Sequence, residues 1–344
     1  MLRRYIAHTV KGLEKISEGE LIDKLKGINI LGIIPKKVIF DWNNIPNEPN
    51  VFRTIDDLSL LVDSFEYRDI NSLYYKLGKI ELSSAINTIK KVRKIDNTFS
   101  ITISKYKAQD VKTDIIFNEI VKQISKRYRL RYTPLLHANL DVRIQVEKNT
   151  VYVLIKLFSR SIFIRSYRSE GQVGSLRPSI AGAMLYHISS GRGNFRIIDN
   201  FCGSGTFLCE AYLDKNIVFG GDISRKSVEI TRKNLEKMKY TYTDRIKTLN
   251  AMKTNWPSNY FDIAISNLPW NKQVLVDHFT KLYSNSIIEY GRILKKDGAI
   301  ALIGSNPDLM VKYVKKIFPD RKNRIESIRI GYLGQNPSIV FSKV

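Results

Sequence analysis

Three observations predict an α/β protein that ends in a doubly wound sheet. From about Arg196 onward, short apolar runs alternate with stretches of helical spacing. One run, Ile197-Ile198-Asp199, feeds the glycine turn Asn200-Phe201-Cys202-Gly203-Ser204-Gly205, and a helix opens at Thr206. The last two runs, Ile325 to Ile330 and Ser338 to Ser342, have no helix between them, which predicts an antiparallel hairpin at one sheet edge. Ligands of such a sheet bind beyond the carboxyl ends of its strands.

The elements before that sheet form two segments. The first runs to about Ile95. It opens on a strand, Tyr5 to His8, followed by a helix from Ser17 or Glu18 to Leu25. Gly27 and Gly32 mark a turn, and Lys37 to Phe40 reads as a second strand. Asn43 to Asn50, with two prolines and four asparagines, is a loop. Helical spacing then covers Asp56 to Phe65 and Ser83 to Val92. His8 stands alone near a strand end and takes a structural role.

The second segment runs from about Asn97 to Arg168. Phe99 to Ile103 alternates as a half-buried strand, and Val111 to Ser125 places Val111, Ile115, Ile116, Ile120, Val121 and Ile124 on one helical face. Val142 to Glu147 and Val151 to Leu157 form a hairpin about Lys148-Asn149. Lys126, Arg127, Arg129, Arg131, Arg160, Arg165 and Arg168 are interleaved with Tyr128, Tyr132, Phe163 and Tyr167. Guanidinium groups neutralise phosphates and rings stack on unpaired bases, so this mixture suits RNA.

The third segment begins near Leu176. Helices are expected at Arg177 to Ile188, Thr206 to Leu213, Arg225 to Met238, Val274 to Leu294 and Pro307 to Ile317. Strands are expected at Arg196 to Asp199, Ile217 to Phe219, Ile246 to Leu249, Phe261 to Ser266 and Ala299 to Ile303, before the closing hairpin.

Charge narrows the partners. The chain has 344 residues, and its 56 Lys+Arg against 33 Asp+Glu leave a formal net charge of +23. Such a field attracts polyanions, either nucleic acid or an anionic membrane. No apolar run approaches the roughly 18 residues of a spanning helix, and no amphipathic helix offers an exposed apolar face. A membrane partner is therefore not expected. The two cysteines, Cys202 and Cys209, suit neither a disulfide framework nor a zinc site, and a reducing cytoplasm is the simplest setting. A monomer is expected, and no metal.

The glycine turn binds either phosphate or a polar neutral cofactor. Gly203 and Gly205 let the backbone approach a ligand, and the helix at Thr206 points free N–H groups at it. The Gly-Lys-Ser/Thr of a P-loop is missing, and Leu208 stands where a dinucleotide fingerprint needs its third glycine. The next strand ends in Gly220-Gly221-Asp222-Ile223, about 20 residues on, where an acid can accept both ribose hydroxyls. A nucleoside bound by its ribose follows, and S-adenosylmethionine fits.

Asp199 to Thr206 resembles the class I methyltransferase motif D-P-F/M-C-G-S-G-T, with Asn200 in place of the usual proline. Asn250-Ala251 falls where that family commonly has Asp-Ala. Asn267-Leu268-Pro269-Trp270 is similar to the N/D-P-P-Y/F/W turn of exocyclic-amine methyltransferases, with Leu268 for the first proline and Asn271 where glycine is common. Leu176 to Met184 resembles the helix that precedes the cradle in THUMP-containing methyltransferases. The whole chain resembles that group.

The resemblance implies a ferredoxin-like domain at 1–95, a THUMP domain at 96–168 and a Rossmann-like class I methyltransferase domain at 169–344. It implies S-adenosylmethionine held by Arg177, Pro178, Asp199, Phe201, Gly203, Ser204, Gly205, Thr206, Asp222, Ile223, Asn250, Ala251 and Asn267. In the amine turn, the Asn267 side-chain oxygen and the Leu268 carbonyl accept the two N–H groups of a target amine. Pro269 stiffens the turn and Trp270 stacks on the flipped base. The relatives closest in layout imply N2-methylguanosine formation at position six of the tRNA acceptor stem, with THUMP holding the 3′ CCA end.

Overall fold

Strands alternate with helices in two separate sheets, one of eight strands and one of seven. The computed structural model describes residues 2–46, 48–134, 138–168, 175–270, 279–332 and 334–343. Contacts divide the chain into two units. The first comprises Met1–His8, Lys24–Val51 and Asp56–Ile162, and the second Thr9–Asp23, Phe52–Ile55 and Phe163–Val344.

The first unit holds β1 (Arg3–His8), β2 (Asn29–Ile34), β3 (Lys37–Trp42), β4 (Asp57–Glu66), β5 (Thr98–Tyr106), β6 (Arg131–Tyr132), β7 (Leu140–Glu147) and β8 (Thr150–Lys156). Their order is β2-β3-β1-β4-β8-β7-β5-β6. Helices α2 (Ile70–Leu77), α3 (Ser83–Val92) and α4 (Thr113–Tyr128) complete it; α1 (Glu14–Lys24) falls almost wholly in the second unit. On α4 the apolar face is narrower than expected. Ile116, Ile120 and Ile124 are buried, whereas Ile115 is exposed.

Residues 56–65 are not the expected helix but strand β4, paired with β1 on one side and β8 on the other. A register shift between Leu61 and Asp63 breaks the period of two, so Leu58, Leu61, Val62 and Phe65 mimic helical spacing. The ladders on both sides decide the conformation, as strand preference follows from neighbours more than from the residues themselves. Strand β2, helix α2 and the short strand β6 were not expected. Strand β2 occupies the supposed turn about Gly32, where its register against β3 slips. Helix α2 is set by a capping box, Asp69 accepting from the Ser72 amide at 2.8 Å. His8 is structural: its ring meets the Ser59 hydroxyl at 3.1 Å. Burial, with Arg143, Lys37 and Lys156 nearby, lowers its pKa to about 3.

The second unit carries α5 (Pro178–Ser189), β9 (Arg196–Asp199), α6 (Thr206–Leu213), β10 (Ile217–Asp222), α7 (Arg225–Glu236) and β11 (Ile246–Thr248). Then follow β12 (Phe261–Asn267), α8 (Phe279–Ile293), β13 (Leu294–Gly304), α9 (Pro307–Ile317), β14 (Ile325–Arg329) and β15 (Ser338–Ser342). The order is β11-β10-β9-β12-β13-β15-β14, parallel as far as β13, with β15 and β14 antiparallel. The expected edge hairpin is therefore present, and the unit is a Rossmann-like, doubly wound sheet. Each face is packed. Residues of α5, α6 and α7 share one core, and Tyr283, Ile287, Tyr290, Met310 and Val314 of α8 and α9 share the other. Of the helix expected from Val274, residues 271–278 lie outside the described residues. Among the described residues, no helix is long and apolar enough to cross a membrane.

Strand order places the candidate site. From β9 the chain moves outward to β10 and β11, then returns to β12 on the other flank of β9. A crevice opens at such a reversal, beyond the carboxyl ends of the two strands. The glycine turn leaves β9 there, and the Asn267 turn leaves β12.

Candidate active site

The glycine turn is shaped by two residues in the left-handed region, Gly203 at φ +52° and Gly205 at φ +80°. A Cβ on Gly205 would stand 2.8 Å from the Thr231 methyl group. Helix α7 holds the turn from outside. The Thr231 hydroxyl donates to the Gly203 carbonyl at 2.8 Å, and Asn234 Nδ2 donates to the Ser204 carbonyl at 2.8 Å. Ser204 also meets Ser175 through their hydroxyls at 2.9 Å. From β10, the Asp222 carboxylate accepts from the Gly203 and Ser224 amides, each at 2.9 Å. A carboxylate has about four lone-pair sites, so Asp222 can still accept hydroxyls. Beside it Ile223 is 76% exposed, an apolar side chain that a flat ring could cover. At the neighbouring strand end, the Leu249 amide donates to the Asp222 carbonyl at 2.9 Å. Asn250 turns its Oδ1 to the Met252 amide at 3.0 Å, and Ala251 is buried.

Asp199 is 1% exposed and ends a directed hydrogen-bond chain. The Asn200 amide donates to the Tyr290 hydroxyl at 2.9 Å, Tyr290 meets Ser266, and the Ser266 hydroxyl donates to Asp199 Oδ1 at 2.5 Å. The Phe201 amide donates to the same oxygen at 2.9 Å. Burial pushes the Asp199 carboxyl up to about 7, with the Asp222 charge adding to it and the donors from Ser266 and Phe201 opposing it. Burial likewise raises the Tyr290 phenol, which stays protonated. Asn200 Oδ1 accepts from Trp256 Nε1 at 3.1 Å. Ser266, Tyr290 and Trp256 escaped the sequence reading. Only Ser266 carried a signal, as a polar residue closing an apolar strand.

In the second turn, Asn267 ends β12 opposite Ile303 and is half-buried. The Leu268 amide donates to the Ile303 carbonyl at 2.9 Å, and the Tyr283 hydroxyl donates to the Pro269 carbonyl at 3.0 Å. Trp270 is 3% exposed and packs in the core with its ring edge-on to Tyr332. Stacking on a base therefore requires the indole to leave this position. Asn200 Nδ2 and Trp270 Nε1 are buried donors without a hydrogen-bond partner among the described residues, one in each turn. Asn271 lies outside the described residues.

At the start of α5, Pro178 takes the first helical position and Arg177 lies over the Phe163 ring at 4.8 Å. Lys126, Arg127, Arg129, Arg131 and Arg160 are exposed, as RNA contact requires, although Arg127 also pairs with Glu81. Arg168 is half-buried. Arg165 does not fit the expected RNA-facing set. It is buried and donates to Glu210 at 2.8 Å, and Tyr167, also buried, donates to Glu210 at 2.7 Å. Glu210, on α6, is 0% exposed, so its charge must be matched inside the protein, and Arg53 adds a further contact at 3.2 Å.

Residues 165–335 match the family model described as RMKL-like, methyltransferase domain. The ribosomal RNA large subunit methyltransferase K/L of Buchnera aphidicola is 27% identical over 216 residues, 60% of this chain and 29% of that protein. The human U6 snRNA (guanine-N(2))-methyltransferase THUMPD2 is 28% identical over 169 residues, 48% of this chain and 32% of that protein. The chain thus spans about a third or less of these two relatives. The crystal structure of TrmN from Thermus thermophilus superposes with a TM-score of 0.79 over 100% of both chains at 18% identity, a likeness of fold.

The raised Asp199 carboxyl gives a pH test. An unfolded chain binds the proton with its ordinary pKa of 3.8 and the folded one with about 7. The folded state therefore holds more protons between those values, and stability falls as pH rises through the window, by at most about 1.4 kcal/mol per pH unit. Asp199→Asn removes this term. Thermal melts of both proteins at pH 4.5 and 8 should show the variant gaining on the parent at the higher pH; a constant difference contradicts the assignment.

Proposed function

We propose that this chain, whose residues 165–335 form an RMKL-like methyltransferase domain, methylates the exocyclic N2 amine of a guanosine in tRNA, at position six of the acceptor stem. The observation that carries the reading is the placement of two turns at the carboxyl ends of neighbouring strands. The glycine turn on β9 fits a nucleoside cofactor, and the Asn267 turn on β12 fits an amine.

The residues present fit S-adenosylmethionine. Asp222 keeps acceptor capacity for ribose hydroxyls, and Ile223 offers exposed apolar cover. When bound, this cofactor supplies an electrophilic methyl group on a positive sulfur. Arg177, Pro178, Phe201, Ser204, Thr206, Asn250 and Ala251 complete the proposed cofactor contacts.

The chain's task is then to present a poor nucleophile in line with that methyl group. The guanine amine lone pair is delocalised into the ring. Asn267 Oδ1 and the Leu268 carbonyl accept its two N–H bonds and draw the nitrogen toward tetrahedral geometry. Positioning of this kind supplies much of the rate in a one-step displacement. As the N–C bond forms, the methyl group's bond to sulfur would break, its electron pair remaining on sulfur, and the amine proton passes to solvent.

RNA recognition falls to residues 96–168 in this reading, as the THUMP domain. Lys126, Arg127, Arg129, Arg131 and Arg160 contact phosphates, and the acceptor stem with its 3′ CCA end is the partner. The Buchnera relative is named for ribosomal RNA, so both RNAs belong in the assay.

The test incubates the protein with labelled S-adenosylmethionine and unmodified tRNA or ribosomal RNA, and then identifies the modified nucleoside. N2-methylguanosine confined to tRNA, and moving with a transplanted acceptor stem, is expected. Product in ribosomal RNA alone refutes the tRNA assignment, and no product with retained RNA binding refutes the enzyme.

Two further outcomes separate the roles. Asp222→Ala should weaken cofactor binding by roughly 10- to 100-fold, whereas Asn267→Ala should lower kcat by about 100-fold with cofactor affinity nearly intact. Equal loss of affinity in both contradicts the division. Replacing Arg127, Arg129 and Arg131 together by alanine should weaken RNA binding and flatten its log–log salt slope by about 2 to 3. An unchanged slope moves the RNA surface elsewhere.

A further inference from the structure

The matched methyltransferase domain begins at residue 165, yet the second unit also contains Thr9–Asp23 and Phe52–Ile55. These early residues are built into it. Lys11 forms an antiparallel bridge with Gly331, whose amide donates to the Lys11 carbonyl at 2.9 Å. Gly12 has φ +97°, and a Cβ there would stand 2.3 Å from the Arg329 carbonyl oxygen. Its amide donates to Glu14 Oε2 at 2.8 Å, and the Leu13 amide closes a turn onto the Val10 carbonyl at 2.9 Å. Only a glycine fits this crossing without displacing the strand it crosses.

What the bridge holds is the backing of the amine turn. Immediately after Gly331, Tyr332 and Gln335 exchange backbone hydrogen bonds of 3.0 and 2.9 Å. The Tyr332 ring meets Trp270 edge-on, with centroids 6.2 Å apart and planes at 85°. Val10, Leu13, Ile16, Ile330 and Trp270 lie in one apolar core, with Tyr332 packed against it. The Asn267–Trp270 turn is thus clamped twice. β13 and α8 hold Leu268 and Pro269, and Tyr332 backs Trp270 from a hairpin pinned to the N-terminal segment.

We propose that Tyr332 is a positioning residue for methyl transfer, fixing the Asn267–Trp270 turn from a hairpin anchored by Lys11 and Gly12. Tyr332 acts through Trp270 and takes no part in the chemistry. Two hydrogen-bond acceptors that grip an amine must be held to about 0.5 Å, and a displacement near 1 Å costs on the order of 100-fold in rate. The N-terminal segment follows directly on β1, so the residues that pin the hairpin are covalently continuous with the sheet of the first unit. The inference rests on the amine-gripping role given above to Asn267 and Leu268.

The experiment uses the full chain with tRNA and reads kcat, cofactor affinity, RNA affinity and thermal melting. Tyr332→Ala should lower kcat at least about tenfold, with both affinities within about twofold of the parent. Tyr332→Phe, which keeps the ring, should retain at least about half of kcat. Gly12→Ala, from the other end of the chain, should show the same split. Where Tyr332→Ala melts below the assay temperature, Tyr332→Leu keeps apolar cover without the ring edge and carries the same expectation. An unchanged kcat in the folded variants overturns the proposal, as does a loss of cofactor affinity as large as the loss of kcat. Asn267→Ala in the same series separates the two failures. Full activity in that variant overturns the amine-turn reading, whereas an inactive Asn267→Ala beside a fully active Tyr332→Ala overturns only the positioning role.

Discussion

The hydrogen bond from Ser266 to Asp199 is the constraint on which the site depends. It crosses from β12 to β9, the pair of parallel strands where the order of the sheet reverses. Asp199 begins the glycine turn, and Ser266 stands one residue before Asn267. One buried contact therefore fixes the spacing between the glycine turn and the Asn267 turn. A charged acceptor makes such a bond stronger and shorter than a neutral one, but burial opposes the charge. The donors from Ser266 and the Phe201 amide hold the carboxylate against that opposition. The consequence is a carboxyl group whose pKa is pushed up to about 7.

Where the determinants were local, the sequence was legible almost to the residue. Helix α6 runs from Thr206 to Leu213 as its pattern predicts, because a left-handed Gly205 starts it and its apolar residues repeat at helical spacing. The edge hairpin of β14 and β15 was readable because two apolar runs follow each other without helical spacing between them. Reading failed where a distant partner decides. The bulge in β4 is stabilised by β8, almost a hundred residues later in the chain, and without it Asp57 to Glu66 has helical spacing. Arg165 and Tyr167 look like a basic and aromatic RNA surface until Glu210 is brought beside them.

The same principle explains why the second unit is not one continuous stretch. Glu20 on α1 accepts from the Arg53 and Thr54 amides at 2.8 and 2.9 Å and from the Thr54 hydroxyl at 2.6 Å. Arg53 then reaches Glu210 on the helix that opens from the glycine turn. A Cβ on Gly182 of α5 would stand 2.5 Å from the Arg53 carbonyl oxygen. Two short pieces of the front of the chain are thus wedged against α5 and α6. Removing one partner from such a buried charged cluster leaves an uncompensated charge, a cost of several kcal/mol. The cluster thus makes the fold of the second unit conditional on residues near its N-terminus, which no motif within residues 165–335 reveals.

Asn200 carries this reasoning to the residue that departs most visibly from the methyltransferase motif. A proline there would have no N–H, and the directed chain through Tyr290 and Ser266 to Asp199 would lose its first donor. The asparagine side chain is also committed, since its Oδ1 accepts from Trp256 Nε1 inside the core. Trp256 packs in turn against Phe219 of β10 and Phe261 of β12. The substitution therefore does not stand alone: a phenol on α8 and an indole before β12 each gain a hydrogen bond because position 200 offers an amide donor and a side-chain acceptor. A turn that gains rigidity from a ring in one sequence can gain it from two hydrogen bonds in another, provided both partners are buried and satisfied. On that ground Asn200 fits a cradle held by different contacts better than one that has lost its shape.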